Sequence, residues 1–343
     1  MKIAIDGFGG DNAPLDVLLG AAMAVKEYGI NIAVTGDEEK LRALMKEHNI
    51  SDEKIEIINA PTVIPVEEEP SLIVRKYKDC SMSVGLYLLR NNEADAFVSA
   101  GSTGALLVGA TTIVGRIKGI KRAAIGTLVP TLAGDNDSYL LIDAGGNAEC
   151  RPEMLAQFAV MGSAYMDKIV GRKNPKVGLL NIGTEETKGL DLQVKAYQIL
   201  KEAPVNFIGN VEGRGLPLCE CDVAVTDGFS GNIALKITEG LAISFGKKLK
   251  KIFKKNLITK IGALCVKDGI DEIKGVMDTS KAGGAPILGI KKPVIKAHGN
   301  SNPEAFKNAI RQALLCLEQN VAGEIESSVQ KLKETMPEEE VKE

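Results

Sequence analysis

The sequence predicts an α/β protein built on a mainly parallel sheet, and three features of the 343-residue chain lead there. Short β-rich runs alternate with longer helical patterns almost to the end, which is the sequence form of βαβ units. From residue 95 onward the strand-like runs tend to end in Gly, Asp, Asn or Ser, the residues that form ligand loops at the carboxyl ends of strands. The composition, 45% hydrophobic and 25% charged with 36 glycines, is that of a globular enzyme rather than a disordered chain.

Taken in order, apolar or β-branched runs place strands at Lys2 to Asp6, Asn31 to Thr35, Ile55 to Ile58 and Ala96 to Ala100. Further strands follow at Ser138 to Asp143, Val177 to Ile182, Asn206 to Gly209 and Asp222 to Thr226, with β-like runs around Pro286 to Ala297. Helical periodicity fills the spaces at Pro14 to Tyr28, Asp37 to His48, Ser71 to Asn91, Ser102 to Gly115, Pro152 to Val170 and Leu190 to Glu202. A long helical stretch without strands covers Gly231 to about Met277, and a closing helix begins near Asn302. The end of the chain, from Glu324, is charged and expected to fray. With no repeat or Pro-rich linker, residues 1–335 read as one α/β domain followed by a charged tail at 336–343.

Within the long helical stretch, a basic amphipathic element at about 240–278 stands apart. It sets Phe245, Leu249, Ile252, Phe253 and Leu257 at helical spacing, with Lys250, Lys254 and their lysine neighbours loading the other surface. No acidic residue lies between Glu239 and Asp268. Such a helix fits a membrane surface, an acidic protein partner, or a partner subunit beside a solvated lysine face.

Charge and composition also bound the function. The net charge of −3 gives no general case for nucleic acid. No run of apolar residues is long enough to span a bilayer, and the N-terminus lacks the pattern of a signal peptide, so a cytoplasmic protein is expected. The six cysteines fit neither a zinc site nor a disulfide framework and are expected to be reduced thiols.

The candidate chemistry sits in the strand-end loops. Asp6, Gly9, Gly10 and Asp11 follow the first strand, but Asn12 stands where a dinucleotide fingerprint needs its third glycine. In the AGSTGA loop, Ser102 and Thr103 either cap a helix or bind an oxyanion with its amides. The loops DAGGN, NIGTEETKG and DGFSGN supply Asp143, Asn147, Glu185, Lys188, Asp227 and Asn232. A lysine pairs with phosphate and an asparagine amide donates to a developing oxyanion, although each residue alone is also an ordinary surface or turn residue. His298, one of two histidines, sits in KAHGNSN as an acid, a base, a phosphate donor or a turn residue bonded to backbone. Several such loops on one sheet edge would make a site.

The ordered set IDGFGGDNAP, SAGSTGALLVGA, DAGGN, LLNIGTEETKG, FIGNVEGR, VTDGFSGNIALKITEG, GGAPILGI and VIKAHGNSN resembles the phosphate acyltransferase family of bacterial phospholipid synthesis (PlsX). The resemblance runs from Lys2 to Asn302, departing where Gly7-Phe8 replaces the usual Ala-Met and Asn300 a commoner Ser. It implies a homodimeric three-layer α/β/α fold like that of isocitrate dehydrogenase, with the helical element protruding. It implies reversible transfer of a fatty acyl group from acyl carrier protein to inorganic phosphate, with no metal or nucleotide cofactor. The product would pass to a membrane glycerol-3-phosphate acyltransferase. On this reading Lys188 holds phosphate and Asn232 stabilises the oxyanion, while His298 is a phosphate ligand or proton donor. The basic element would then dock at the membrane surface.

Overall fold

A computed structural model describes residues 1–131, 133, 138–276 and 283–335. In these residues the strands are β1 (Lys2–Asp6), β2 (Asn31–Gly36), β3 (Ile55–Asn59), β4 (Ala96–Ser99), β5 (Ala124–Pro130) and β6 (Ser138–Ile142). The others are β7 (Lys176–Asn181), β8 (Asn206–Glu212), β9 (Val223–Val225), β10 (Ala285–Leu288) and β11 (Val294–Lys296). The helices are α1 (Leu15–Tyr28), α2 (Glu38–Glu47), α3 (Ser81–Arg90), α4 (Thr103–Gly109), α5 (Pro152–Tyr165) and α6 (Asp191–Glu202). Then come α7 (Gly228–Phe253), α8 (Leu257–Cys265), α9 (Lys267–Val276), α10 (Pro303–Glu318) and α11 (Val321–Thr335).

The strands form one 11-stranded sheet in the order β3-β2-β1-β4-β11-β10-β5-β6-β9-β7-β8. Alternation along each strand feeds two faces. Ile3 and Ile5 join the side covered by α1, α10, α5, α6 and α11, while Ala4 and Phe97 join the side covered by α3 and α4. A third cluster, around Tyr139, Leu141 and Ala224, takes Leu235 from the first turns of α7. This is the expected three-layer arrangement of a mostly parallel sheet between helices.

The strand directions change the reading of the site. Three successive antiparallel pairings, β11 with β10, β10 with β5 and β5 with β6, separate two parallel runs. Three reversals leave β6, β9, β7 and β8 pointing opposite to β1, β2, β3, β4 and β11. The carboxyl ends of the two runs therefore lie on opposite sheet edges, and the strand-end loops do not gather on one edge as the sequence suggested.

Other expectations are corrected locally. The sequence reading left β5 out, although its seven residues AIGTLVP pair with β6 from Gly126 to Pro130. The single helix expected from Ser71 to Asn91 is a 3-10 turn at Pro70–Val74 followed by α3, because the Cys80 thiol accepts the Ser83 amide and starts the helix afresh. The long helical stretch is three helices. Asn256 and Thr259 cap each other's backbone amides reciprocally, which restarts the chain as α8. The end from Glu324 does not fray up to Thr335: Val321, Ile325, Val329 and Leu332 are buried at helical spacing, and α11 packs on α5. The expected charged tail at 336–343 and the last residues of the basic element, 277–278, lie outside the described residues.

Candidate active site

At the first edge, the Asp6 carboxylate ends β1 and is buried. It accepts the Ser81 hydroxyl at 2.6 Å, the Ser99 hydroxyl at 2.7 Å and the Phe8 amide at 3.3 Å. Burial pushes its pKa up, and these donors together with the Lys296 charge pull it down. The Ser99 hydroxyl also accepts the Gly101 amide, tying the loop after β1 to the loop after β4. Gly10, at φ 106°, lies where a Cβ would stand 2.9 Å from the Ala100 Cβ and the Gly299 carbonyl, so only glycine lets the loops after β1, β4 and β11 meet. The Asp11 amide closes this junction by donating to the Gly299 carbonyl at 2.7 Å.

Around that junction Asp11, Thr103 and His298 are exposed, Gly9 is buried, and Ser102 is buried with its hydroxyl accepting the Ala105 amide as the cap of α4. Lys296, absent from the residues singled out in the sequence, occupies the centre. Its Nζ donates to the carbonyls of Ala100, at 3.1 Å, and Ala297. Burial lowers its pKa to about 8 against the opposing pull of Asp6 and Asp11. The signal available in the sequence was a lysine inside a buried-strand pattern, VIKAHG.

At the second edge, Asp143 follows β6 and is fully buried. Its carboxylate collects the amides of Ile125, Gly145, Gly146 and Asn147 and the Asn147 side-chain amide, at 2.7 to 3.2 Å. Burial nevertheless raises its pKa. Asn147 also donates to the Ala123 carbonyl, and its own carbonyl accepts the Gly228 amide at 2.7 Å, joining the DAGGN loop to the start of α7. Asp227 caps α7 through the Ser230 amide and hydroxyl at 2.8 and 2.9 Å. One turn on, Gly231 packs so closely that a Cβ would overlap the Asp143 carbonyl oxygen. This contact brings Asn232 beside Gly145, where it is exposed.

Next to β9 runs β7, whose carboxyl end carries Glu185 and Lys188, both exposed and folded over Gly183. The Lys188 carbonyl is held by the Asn181 side-chain amide at 3.0 Å, and the Glu185 carbonyl by that of Asn210 at 2.8 Å. Cys150 lies beside the DAGGN loop, its thiol donating to the Asn147 carbonyl at 3.6 Å, and burial, reinforced by Asp143 and Asp227, pushes its pKa up to about 12.

The structure thus brings Asp143, Asn147, Asp227 and Asn232 together, with Glu185 and Lys188 on the neighbouring strand end. It assembles Asp6, Gly9, Gly10, Asp11, Ser102, Thr103 and His298 on the other edge. One helix spans the two groups: α4, capped by Ser102 at the first edge, sets Leu107 3.0 Å from the position of a Cβ on Gly146 at the second. Beyond the core, α7 and α8 project. Phe245 and Leu257 are 66% and 74% exposed, Ile252, Lys250 and Lys254 are exposed, and Leu249 and Phe253 are partly covered. Among the described residues no helix is long and apolar enough to cross a membrane.

Solved phosphotransacylases share the fold of this chain. Structures similar to this chain are a phosphotransacetylase from Streptococcus pyogenes (20% identity, TM-score 0.61, 97% of this chain and 94% of that one) and the EutD phosphotransacetylase from Staphylococcus aureus (20%, 0.59, 96% and 94%). A 4-hydroxythreonine-4-phosphate dehydrogenase from Klebsiella pneumoniae shares the fold at 11% identity and TM-score 0.52, over 94% of this chain and 99% of that one.

The chain belongs to the phosphate acyltransferase family, whose model, described as "Fatty acid synthesis protein", matches residues 1–324. Relatives named phosphate acyltransferase are 47% identical over 332 residues in Alkaliphilus oremlandii, covering 97% of this chain and 98% of the relative. They are 45% identical over 333 residues in Clostridium acetobutylicum, covering 97% and 100%. The protein is an acyltransferase enzyme of this family.

Proposed function

We propose that this acyltransferase moves a fatty acyl group reversibly from the thioester of an acyl carrier protein to inorganic phosphate, yielding acyl phosphate for phosphatidic acid synthesis. The observation that supports the reading is that Lys188 and Asn232 stand on the loops after the adjacent parallel strands β7 and β9, with Asn232 beside Gly145 of the DAGGN loop.

The chemistry needs little more. Phosphate is already an anionic nucleophile, and a thiol of ordinary pKa near about 8.5 leaves readily as thiolate. A phosphate oxygen attacks the thioester carbon, the C–S bond breaks as the tetrahedral intermediate collapses, and the carrier thiolate takes a proton from solvent. The enzyme has to overcome charge crowding and orient the reactants. Lys188 supplies the cation for phosphate, and the Asn232 amide donates to the oxyanion. His298, on the loop after β11, is assigned no step here and remains a phosphate ligand or proton donor to be tested by substitution.

The surface of α7 to α9 is proposed to rest on an anionic membrane. Supporting this are the exposed Leu241, Phe245, Leu257 and Ile258 beside a lysine-rich stretch without acidic residues from Gly240 to Lys267. A dimeric, cytoplasmic enzyme at that surface would hand its acyl phosphate to a membrane glycerol-3-phosphate acyltransferase.

Steady-state kinetics of Asn232→Ala and Lys188→Ala test the assignment. Loss of the oxyanion donor is expected to lower kcat by about 10²–10³, and loss of the lysine to raise the KM for phosphate. Near-normal acyl-phosphate formation in both folded variants would reject these roles. Coenzyme A thioesters serving as well as carrier thioesters would replace the carrier reading by a small-acyl phosphotransacetylase.

A further inference from the structure

Lys296 has no role in the step above, yet its surroundings are those of a functional group. A half-buried ammonium spends hydrogen bonds on the Ala100 and Ala297 carbonyls, at the ends of β4 and β11. The titratable groups around it are Asp6 and Asp11 from the loop after β1 and His298 from its own loop; Cys80 stands behind Asp6. The carbonyl of Ala100 belongs to the short loop that enters α4 through the Ser102 cap. From there α4 leads to Leu107, 3.0 Å from where a Cβ on Gly146 would stand, and the Asn232 Cβ lies 3.3 Å from where one on Gly145 would stand.

We infer that Lys296 is a positioning residue for the acyl transfer: by clamping the loop that starts α4, it fixes α4 against the DAGGN loop and so sets Asn232 on the opposite edge. The inference rests on the reaction proposed above. Because the oxyanion donor acts on the transition state, misplacing it lowers kcat and leaves ground-state binding nearly intact. The clamp needs the charged ammonium, since a neutral amine is a weaker donor to two carbonyls. An arginine, charged at all accessible pH, supplies the same two bonds.

The test compares the wild type with Lys296→Met and Lys296→Arg, measuring phosphate-dependent acyl-phosphate formation from pH 6.5 to about 9.5, across the range in which a group titrating near 8 changes charge. In Lys296→Met, kcat is expected to fall about tenfold or more while both KM values change less than about twofold. The wild-type kcat is expected to decline as pH rises through about 8, and Lys296→Arg to keep its rate there. A folded Lys296→Met with wild-type kcat, or an alkaline decline that Lys296→Arg retains, would overturn the inference. Amide hydrogen exchange reads the same positioning without activity and, in the wild type, without a variant. Protection at Gly145, Gly146 and Asn147 should drop in Lys296→Met, and in the wild type above pH 8 beyond the intrinsic base-catalysed trend; unchanged protection in both contradicts it. If the wild type forms no acyl phosphate, the reaction assignment fails, and exchange alone then decides the clamp.

Discussion

The Asp143 carboxylate gathers five N–H groups, four from backbone, so its first task is to fold the loop that carries Asn147 and supports Asn232. Asp143→Ala strands these donors in a buried site and should destabilise the protein by about 3 kcal/mol, read as a lower urea midpoint at unchanged m-value. Lys296 makes the opposite kind of contribution. Its folded pKa of about 8 lies below the 10.5 of an unperturbed lysine, so between these values the unfolded chain holds more protons. The stability of wild type relative to Lys296→Met should therefore rise as pH rises from about 8 to 10.5, while the rate falls. Urea titrations at several pH values check the sign. The sequence identified Asp6, Asp143 and Asp227 as strand-end carboxylates. It did not reveal that remote hydroxyls and amides, from Ser81, Ser99 and Ile125, occupy the oxygens of the first two. Nor did it reveal Lys296, whose distinction is burial by other elements rather than any local pattern.

Helix α7 shows what local sequence settles and what it leaves to packing. The sequence reading began it at Gly231, three residues late, because it took Asp227 as a site residue and not as the cap that accepts the Ser230 amide. The need for Gly231 is not legible in the sequence, since it arises from the Asp143 carbonyl lying against it. Gly231→Ala should cost about 3 kcal/mol or more, as overpacking against backbone does when nothing can yield; a thermal unfolding scan measures it. The break at Asn256 was missed because apolar periodicity continues past it, and the cap shows only in the Asn256–Thr259 exchange. Conversely, the charged end from Glu324 hid the apolar spacing of α11, which holds it to α5. For the projecting α7 and α8, Phe245→Glu should weaken sedimentation with anionic vesicles at least about tenfold, and about 0.5 M salt should release the wild type. Failure of the wild type to sediment at low salt would leave that surface to carrier protein or to a second subunit.

At the scale of the whole molecule, alternation of strands and helices was enough to predict a mainly parallel sheet with helices between its strands. Strand direction was not, because it depends on the antiparallel pairing of β5 with β10, which joins residues about 160 apart in the chain. Those two strands reverse half the sheet and divide one expected site into two groups spanned by α4. The central claim is that Lys188 and Asn232, at the edge of β7 and β9, transfer a fatty acyl group between a carrier thioester and phosphate. It is tested most directly by incubating the purified enzyme with long-chain acyl carrier protein and phosphate, then trapping the product with hydroxylamine. Acyl hydroxamate that forms only when phosphate is present, and that Asn232→Ala reduces by about 10²-fold or more, is the predicted result. Its absence in the wild type, or equal formation without phosphate, would contradict the account.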